Sequence, residues 1–211
     1  DRESDWLAFL GASYFRAAGS RDQYGLSARG IAIDAGSADE RFPAFTDFWI
    51  EATGNHGWRI YALLDGEDLA GAYRIDSRLG MDGVRQDVTA TLFLRNTVAR
   101  LGIAPLTSMF WYDEGARRNA HDWRPEIHDS DGLAMLSGSG ERIWRPLHNP
   151  ARPVLSSFVD NDPRGFGLIQ RDQKFDHYQD DGAFYDRRPS LWVEPQGDWG
   201  PGRVLLYELP T

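Results

Sequence analysis

Apolar residues recur at every second position through most of this chain, and that period is the mark of half-buried strands. Residues 28–34 alternate, and residues 45–51 and 58–64 form two aromatic-rich runs around the turn Gly54-Asn55-His56-Gly57. Residues 70–75 and 84–94 follow, separated by Leu79-Gly80-Met81-Asp82-Gly83, and then residues 106–111. Shorter strand candidates lie at 133–136, 141–145, 154–159, 165–171, 190–195 and 203–209. Only the first fifteen or so residues read as helical. There Trp6, Leu7, Phe9, Leu10 and Tyr14 recur near helical spacing, with Asp5 placed to cap. Many strands divided by Gly, Pro and Asn turns, without alternating helices, predict an all-β antiparallel sandwich with one short N-terminal helix. The polar stretches 112–119 and 172–188 read as long loops, where sites on a rigid sandwich usually sit.

Composition narrows the classes. The length of 211 residues fits one large domain or one and a fraction, and 41% hydrophobic with 26% charged residues is ordinary for a globular chain with a real core. The net charge of −9 argues against nucleic acid or an anionic membrane surface as partner, since both reward basic patches. The absence of cysteine excludes disulfides and thiolate chemistry. No apolar run approaches the length that spans a membrane. The chain begins at Asp1 and stops at Leu209-Pro210-Thr211, directly after a strand-like run, so it reads as part of a longer protein.

The densest chemistry is His128-Asp129-Ser130-Asp131-Gly132-Leu133, two carboxylates and an imidazole flanked by Trp123, Arg124, Glu126, Trp144 and Arg145. Carboxylates serve acid–base catalysis, indole faces pack on sugar rings and guanidinium groups donate to hydroxyls, so the stretch suits a carbohydrate site. Asp, Ser and Gly equally make a solvated acidic turn. In an extended segment Asp129 and Asp131 share a face and cannot flank one glycosidic bond from opposite sides. A calcium loop needs its Gly later than Gly132, the histidines lack zinc spacing, and Ser27 is not in a Gly-x-Ser-x-Gly elbow. No metal or cofactor is expected. Residues 175–190 mix acids, aromatics and Arg, and fit either a polyol groove or an anchored solvated loop.

Longer motifs carry a family resemblance. Tyr24-Gly25-Leu26-Ser27-Ala28-Arg29-Gly30, Phe48-Trp49-Ile50-Glu51, Arg124-Pro125-Glu126-Ile127-His128-Asp129-Ser130-Asp131-Gly132-Leu133, Gly165-Phe166-Gly167-Leu168-Ile169-Gln170-Arg171 and Trp192-Val193-Glu194-Pro195 stand in order along the chain. They resemble the periplasmic glucan biosynthesis protein family, types G and D (MdoG/OpgG and OpgD). The resemblance implies a galactose-mutarotase-like supersandwich, a periplasmic location, and a role in osmoregulated glucan synthesis on a β-1,2-linked glucose backbone. It implies an inverting endo-β-1,2-glucanase whose general base matches Asp129, whose groove-closing aromatic matches Tyr185, and whose general acid lies beyond Thr211. Residues 1–211 would then be the middle of an N-terminal glucan-processing domain, with a C-terminal immunoglobulin-like domain absent, so the piece is expected to be incomplete and inactive alone. Trp111, Trp144 and Arg188 are candidate sugar contacts, and His128 and Asp131 candidate supports for Asp129. The expected partner is a β-1,2-glucan, and a homodimer is left open. The rival reading is a non-catalytic glucan-binding or backbone-shaping protein, told apart by whether Asp or Glu follows Thr211. A sugar epimerase or lyase on the same sandwich gains nothing from these motifs.

Overall fold

The computed structural model describes residues 5–54 and 56–211. They form two compact units, one made by the chain up to Asp22 with Ser27–Pro105, the other by Gln23–Leu26 with Leu106–Thr211. The fold is all-β, as the alternation predicts.

The first unit holds β1 (Leu7–Leu10), β2 (Tyr14–Ala17), β3 (Ser27–Arg29), β4 (Ile31–Ile33), β5 (Ala44–Ala52), β6 (Gly57–Asp65), β7 (Leu69–Gly80), β8 (Gly83–Leu94) and β9 (Leu101–Ile103). Strands β5 to β8 are an antiparallel meander in sequence order, with Ile60 opposite Ile75 and Ile75 opposite Val88. One face carries Ala62, Leu64, Leu69 and Tyr73, and these pack with Ile31 and Ile33 of β4 into a core. Each of the Leu and Ile side chains contributes about 1.5–3 kcal/mol by leaving water. The turn expected before β8 is present, with Gly80 opposite Gly83 and Gly83 at φ 123°. The turn expected at 54–57 includes Asn55, which lies outside the described residues.

The N-terminal helix is a correction. Residues 1–4 lie outside the described residues, and the rest of the expected helix is the hairpin β1–β2, with Phe9 opposite Phe15. Leu7 and Phe9 satisfy a period of two as well as a helical one, and tertiary contacts decide. Phe9 stacks on Phe15 at 5.9 Å and meets Phe48 edge-on at 5.5 Å. Ala12 and Ser13 take the left-handed φ values of 56° and 55°, which close the loop and would break a helix. Residues 28–34, read as one strand, are two. They part at Gly30, whose missing Cβ admits Ser13 and Phe45 at 3.2 Å, and whose carbonyl accepts from the Tyr73 hydroxyl at 3.0 Å.

The second unit contains β10 (Leu106–Thr107), β11 (Phe110–Tyr112), β12 (Ile127–His128), β13 (Gly132–Leu136), β14 (Arg142–Pro146), β15 (Val154–Asn161), β16 (Gly165–Ile169), β17 (Leu191–Val193) and β18 (Pro201–Glu208). A four-stranded antiparallel sheet in the order β14-β13-β16-β17 and the ribbon β15-β18 share one core through Leu133, Met135, Leu168 and Leu206. The expected strand over 106–111 divides into β10 and β11, and β11 pairs with β12 to form the floor of the site. The 112–119 stretch closes as the 3-10 turn Glu114–Asn119, and the 172–188 stretch contains α1 (Phe175–Tyr178) and the 3-10 turn Tyr185–Arg187.

Trp144, Ala134, Gly167 and Trp192 form one row across the outer face of this sheet. The two indoles fold inward over glycines. A Cβ on Gly132 would lie 2.2 Å from the Trp144 ring, and one on Gly165 would lie 2.3 Å from Trp192. Gly132→Ala is therefore expected to lower unfolding stability by about 1–3 kcal/mol through overpacking. Gly202→Ala, where nothing lies within 4 Å, is the control and should change it little. Chemical denaturation of the two variants measures the difference.

Candidate functional site

Strand β12 ends at His128, and the next residue, Asp129, is pinned by its backbone N–H to the Met109 carbonyl at 2.8 Å. Its carboxylate is largely buried, 13% exposed, and its Oδ1 lies 3.4 Å from Nη1 of Arg188. Burial pushes the Asp129 carboxyl up from the ordinary carboxylate range, while the charges of Arg188 and His128 pull the other way. Arg188 is itself held: Nε and Nη2 donate to the Ala183 carbonyl at 3.1 and 2.9 Å, and the guanidinium lies 5.2 Å from the centroid of the Tyr185 ring. Burial and the nearby Asp129 charge raise the Tyr185 hydroxyl above its usual value, so it stays a neutral donor. Asp129, Tyr185 and Arg188 are thus brought together from segments more than fifty residues apart.

Behind them lies a buried polar network. His128 is fully buried, stacked on Phe110 at 5.5 Å and edge-on to Tyr178 at 5.2 Å. The two N–H groups of the Gln170 amide are shared among three acceptors, the carbonyls of His128 and Tyr185, each at 3.1 Å, and the Tyr178 hydroxyl at 2.9 Å. That hydroxyl in turn donates to the Asp172 carbonyl at 3.1 Å. With the amide nitrogen facing two carbonyls, Gln170 Oε1 must face His128 Nδ1, 3.0 Å away, so Nδ1 carries a proton. On the other side Nε2 meets Glu126 Oε2 at 2.9 Å, and a proton lies between them.

A second clamp fixes the loop that carries Tyr185. Arg124 donates Nε and Nη2 to the two oxygens of Asp122, both at 2.8 Å, and Nη1 to Asp180 at 2.6 Å. Asp180 in turn accepts from the backbone N–H groups of Gly182 and Ala183 at 2.9 and 2.6 Å. Arg124 holds the Asp122 carboxyl down at about 2. Beneath the clamp, Tyr112, Ile127, Tyr178 and Tyr185 form a small core joined by Trp111.

The remaining candidates have other surroundings. The Asp131 carboxylate accepts from the backbone N–H groups of Arg171, at 3.0 Å, and Asp172, at 3.1 Å, and so ties β13 to the segment after β16. Trp111 is half-buried, edge-on to Tyr112 at 5.4 Å, beside a recess lined by Phe110, Asp113, His148 and Asn149. Trp144 lies on Gly132 with Arg171 4.9 Å above its ring. Glu126, Asp172 and His177 offer ligand atoms within 4.8 Å of one another, the one such grouping among the described residues. There His177 Nδ1 bonds directly to Asp172 and Glu126 is turned to His128, so these donors already satisfy one another. The sequence singles out Tyr178 and Asp180 only as members of the mixed 175–190 loop and gives no role to Gln170 or Asp122; the partners of these residues lie up to 56 residues away.

Fold and site define an all-β sandwich protein with a buried carboxylate–arginine pair under an aromatic loop. The family model described as "Periplasmic glucan biosynthesis protein, MdoG" matches residues 1–211, and the chain belongs to that family. It is similar to glucans biosynthesis protein D 2 of Ralstonia nicotianae, 56% identical over 215 residues, covering 100% of this chain and 40% of the relative. A probable glucans biosynthesis protein D of Shewanella oneidensis is 55% identical over 214 residues, covering 100% of this chain and 39% of that protein. Glucans biosynthesis protein D of Stenotrophomonas maltophilia strain R551-3 is 54% identical over 214 residues, again covering 100% of this chain and 40% of the relative. The chain thus spans about two fifths of the length of these curated relatives. No helix among the described residues is long and apolar enough to cross a membrane.

The Asp122 shift sets an acid limit on the clamp. Its carboxyl titrates near 3.8 when free and at about 2 when folded, so its stabilisation is complete above about pH 4 and is lost as pH falls toward 2. Asp122→Asn should flatten the stability-against-pH curve between pH 4 and 2, read from urea midpoints at each pH.

Proposed function

We propose that the intact protein acts in periplasmic glucan biosynthesis as an inverting endo-β-1,2-glucanase, with Asp129 as general base. The observation that carries this reading is the Asp129 carboxylate itself, largely withdrawn from water, raised by burial, and faced by Arg188 at 3.4 Å. A base of that kind holds a proton more tightly than an exposed aspartate while keeping a cationic partner to steady its charge. It would deprotonate the attacking water directly or through a relay of waters or substrate hydroxyls. Arg188 and Tyr185 supply donors, and the Tyr185 and Trp111 rings supply flat apolar surface, on the side where a sugar would lie. Trp144, His128 and Asp131 would act at one remove, through the sheet and the backbone.

Inversion needs a second carboxyl about 6.5–9.5 Å from the base, with room for water between them. The resemblance assigns it to an Asp just after Thr211. One feature supports that assignment: Thr211 donates its hydroxyl to the Phe110 carbonyl at 3.2 Å, and the Phe110 ring stacks on His128 at 5.5 Å. Chain leaving Thr211 therefore sets out from beside the residue that precedes Asp129.

In the full-length protein, Asp129→Asn should reduce turnover of linear β-1,2-glucan by about 100-fold or more while glucan binding persists. Near-normal release of short glucans would overturn the assignment, and binding without turnover in the wild type would favour a glucan-holding role. The acid limb of kcat/KM should lie above the ordinary aspartate range of about 3.9, because the base must be ionised. Arg188→Gln, which removes the opposing charge, should move that limb further upward.

A further inference from the structure

We propose that Gln170 is a positioning residue that locks the Asp129-bearing segment to the Tyr185–Arg188 segment, so that the two halves of the site face each other only while its amide is in place. The proposal rests on Asp129 and Arg188 working together, as in the glucanase reading, but it concerns a residue that touches neither the substrate nor Arg188.

The His128 carbonyl belongs to the residue before Asp129, and the Tyr185 carbonyl lies three residues before Arg188. Both are buried and both meet the Gln170 amide nitrogen at 3.1 Å, the Tyr185 carbonyl sharing it with the backbone N–H of Arg188 at 3.2 Å. A buried carbonyl that loses a donor is costly, most of all at His128, so the two carbonyls hold their segments against one side chain. Gln170 is itself anchored at the end of β16, where its backbone N–H donates to the Ser190 hydroxyl at 3.0 Å. Its Oε1 also receives the proton of His128 Nδ1, which fixes the ring that stacks on Phe110. Apart from the Arg188–Asp129 contact itself, the other hydrogen bonds described on the 180–188 loop, the Asp180 turn, the Arg188 N–H to the Tyr185 carbonyl and the bonds from Arg188 to the Ala183 carbonyl, are internal to that loop or lead to Arg124. Gln170 thus bonds both the residue preceding Asp129 and the loop that carries Arg188.

The test is a double-mutant cycle on the full-length protein. Gln170→Glu keeps the shape and the oxygen that faces His128, but turns an acceptor toward the two carbonyls. Gln170→Met removes all polar contacts and serves if the first variant does not fold, with thermal melting reporting folding for both. Each is combined with Arg188→Ala. If Gln170 acts through the position of Arg188, its substitution lowers kcat/KM about 10- to 100-fold alone, but no more than about threefold in the Arg188→Ala background. Equal losses in both backgrounds would overturn the proposal, because a merely structural role adds independently. Tyr178→Phe, which deletes one acceptor of the same amide but leaves both carbonyls served, should stay within about threefold of wild type. A loss as large as that of Gln170→Glu would assign the positioning to the tyrosine hydroxyl instead. If Asp129→Asn retains turnover, the glucanase reading fails separately. The same cycle is then read on the dissociation constant for linear β-1,2-glucan, where additivity again overturns the role of Gln170.

Discussion

Two buried carbonyl oxygens, of His128 and Tyr185, converge on one primary amide where water hardly reaches, the second sharing it with the Arg188 backbone N–H. That convergence orients the Gln170 side chain, which orients the His128 imidazole, which in turn directs its second nitrogen to Glu126. A buried network of this kind is rigid only when every member is satisfied, because each unmet group would cost more than its bond returns. Asp129 benefits indirectly. It projects from a backbone that cannot shift without breaking several of these bonds, and so it can be kept largely dry beside a single guanidinium.

The sandwich around this network does separate work. In the second unit the inner faces of the sheet and ribbon meet in a leucine-rich core, and the outer face is roofed by two indoles resting on glycines. Beyond the sheet, the Asp122–Arg124–Asp180 clamp carries the loop, and Asp131 staples β13 to the residues after β16. The acidic motif therefore divides by task. Asp129 faces the arginine, while Asp131, two residues on, serves backbone N–H groups.

Much of the fold is legible in the sequence, because a meander of half-buried strands writes its period directly. The 58–64, 70–75 and 84–94 runs all lie within β6, β7 and β8. The N-terminal segment misleads for a physical reason. Trp6, Leu7, Phe9, Leu10 and Tyr14 recur near helical spacing while Leu7 and Phe9 also fit a period of two, and the contacts of Phe9 with Phe15, Phe45 and Phe48 decide for the strand. At the site, Asp129, Tyr185 and Arg188 could be named from motifs, since each lies in a recognisable local string. The Gln170 amide could not. Nothing near Gly165-Phe166-Gly167-Leu168-Ile169-Gln170 says that its last side chain turns inward to serve carbonyls 42 and 15 residues away.

The Glu126–His128–Gln170 chain also bears on how such a protein can drift through mutation. Each member holds a proton or a lone pair that its neighbour requires, so a change at one position strands a polar atom at the next. Single substitutions along this line are disfavoured step by step, even where a wholly apolar trio would pack as well. The three positions are expected to be inherited as a block and exchanged, if at all, together. Surface pairs such as Arg85 and Asp87, open to water on both sides, are free to wander one residue at a time.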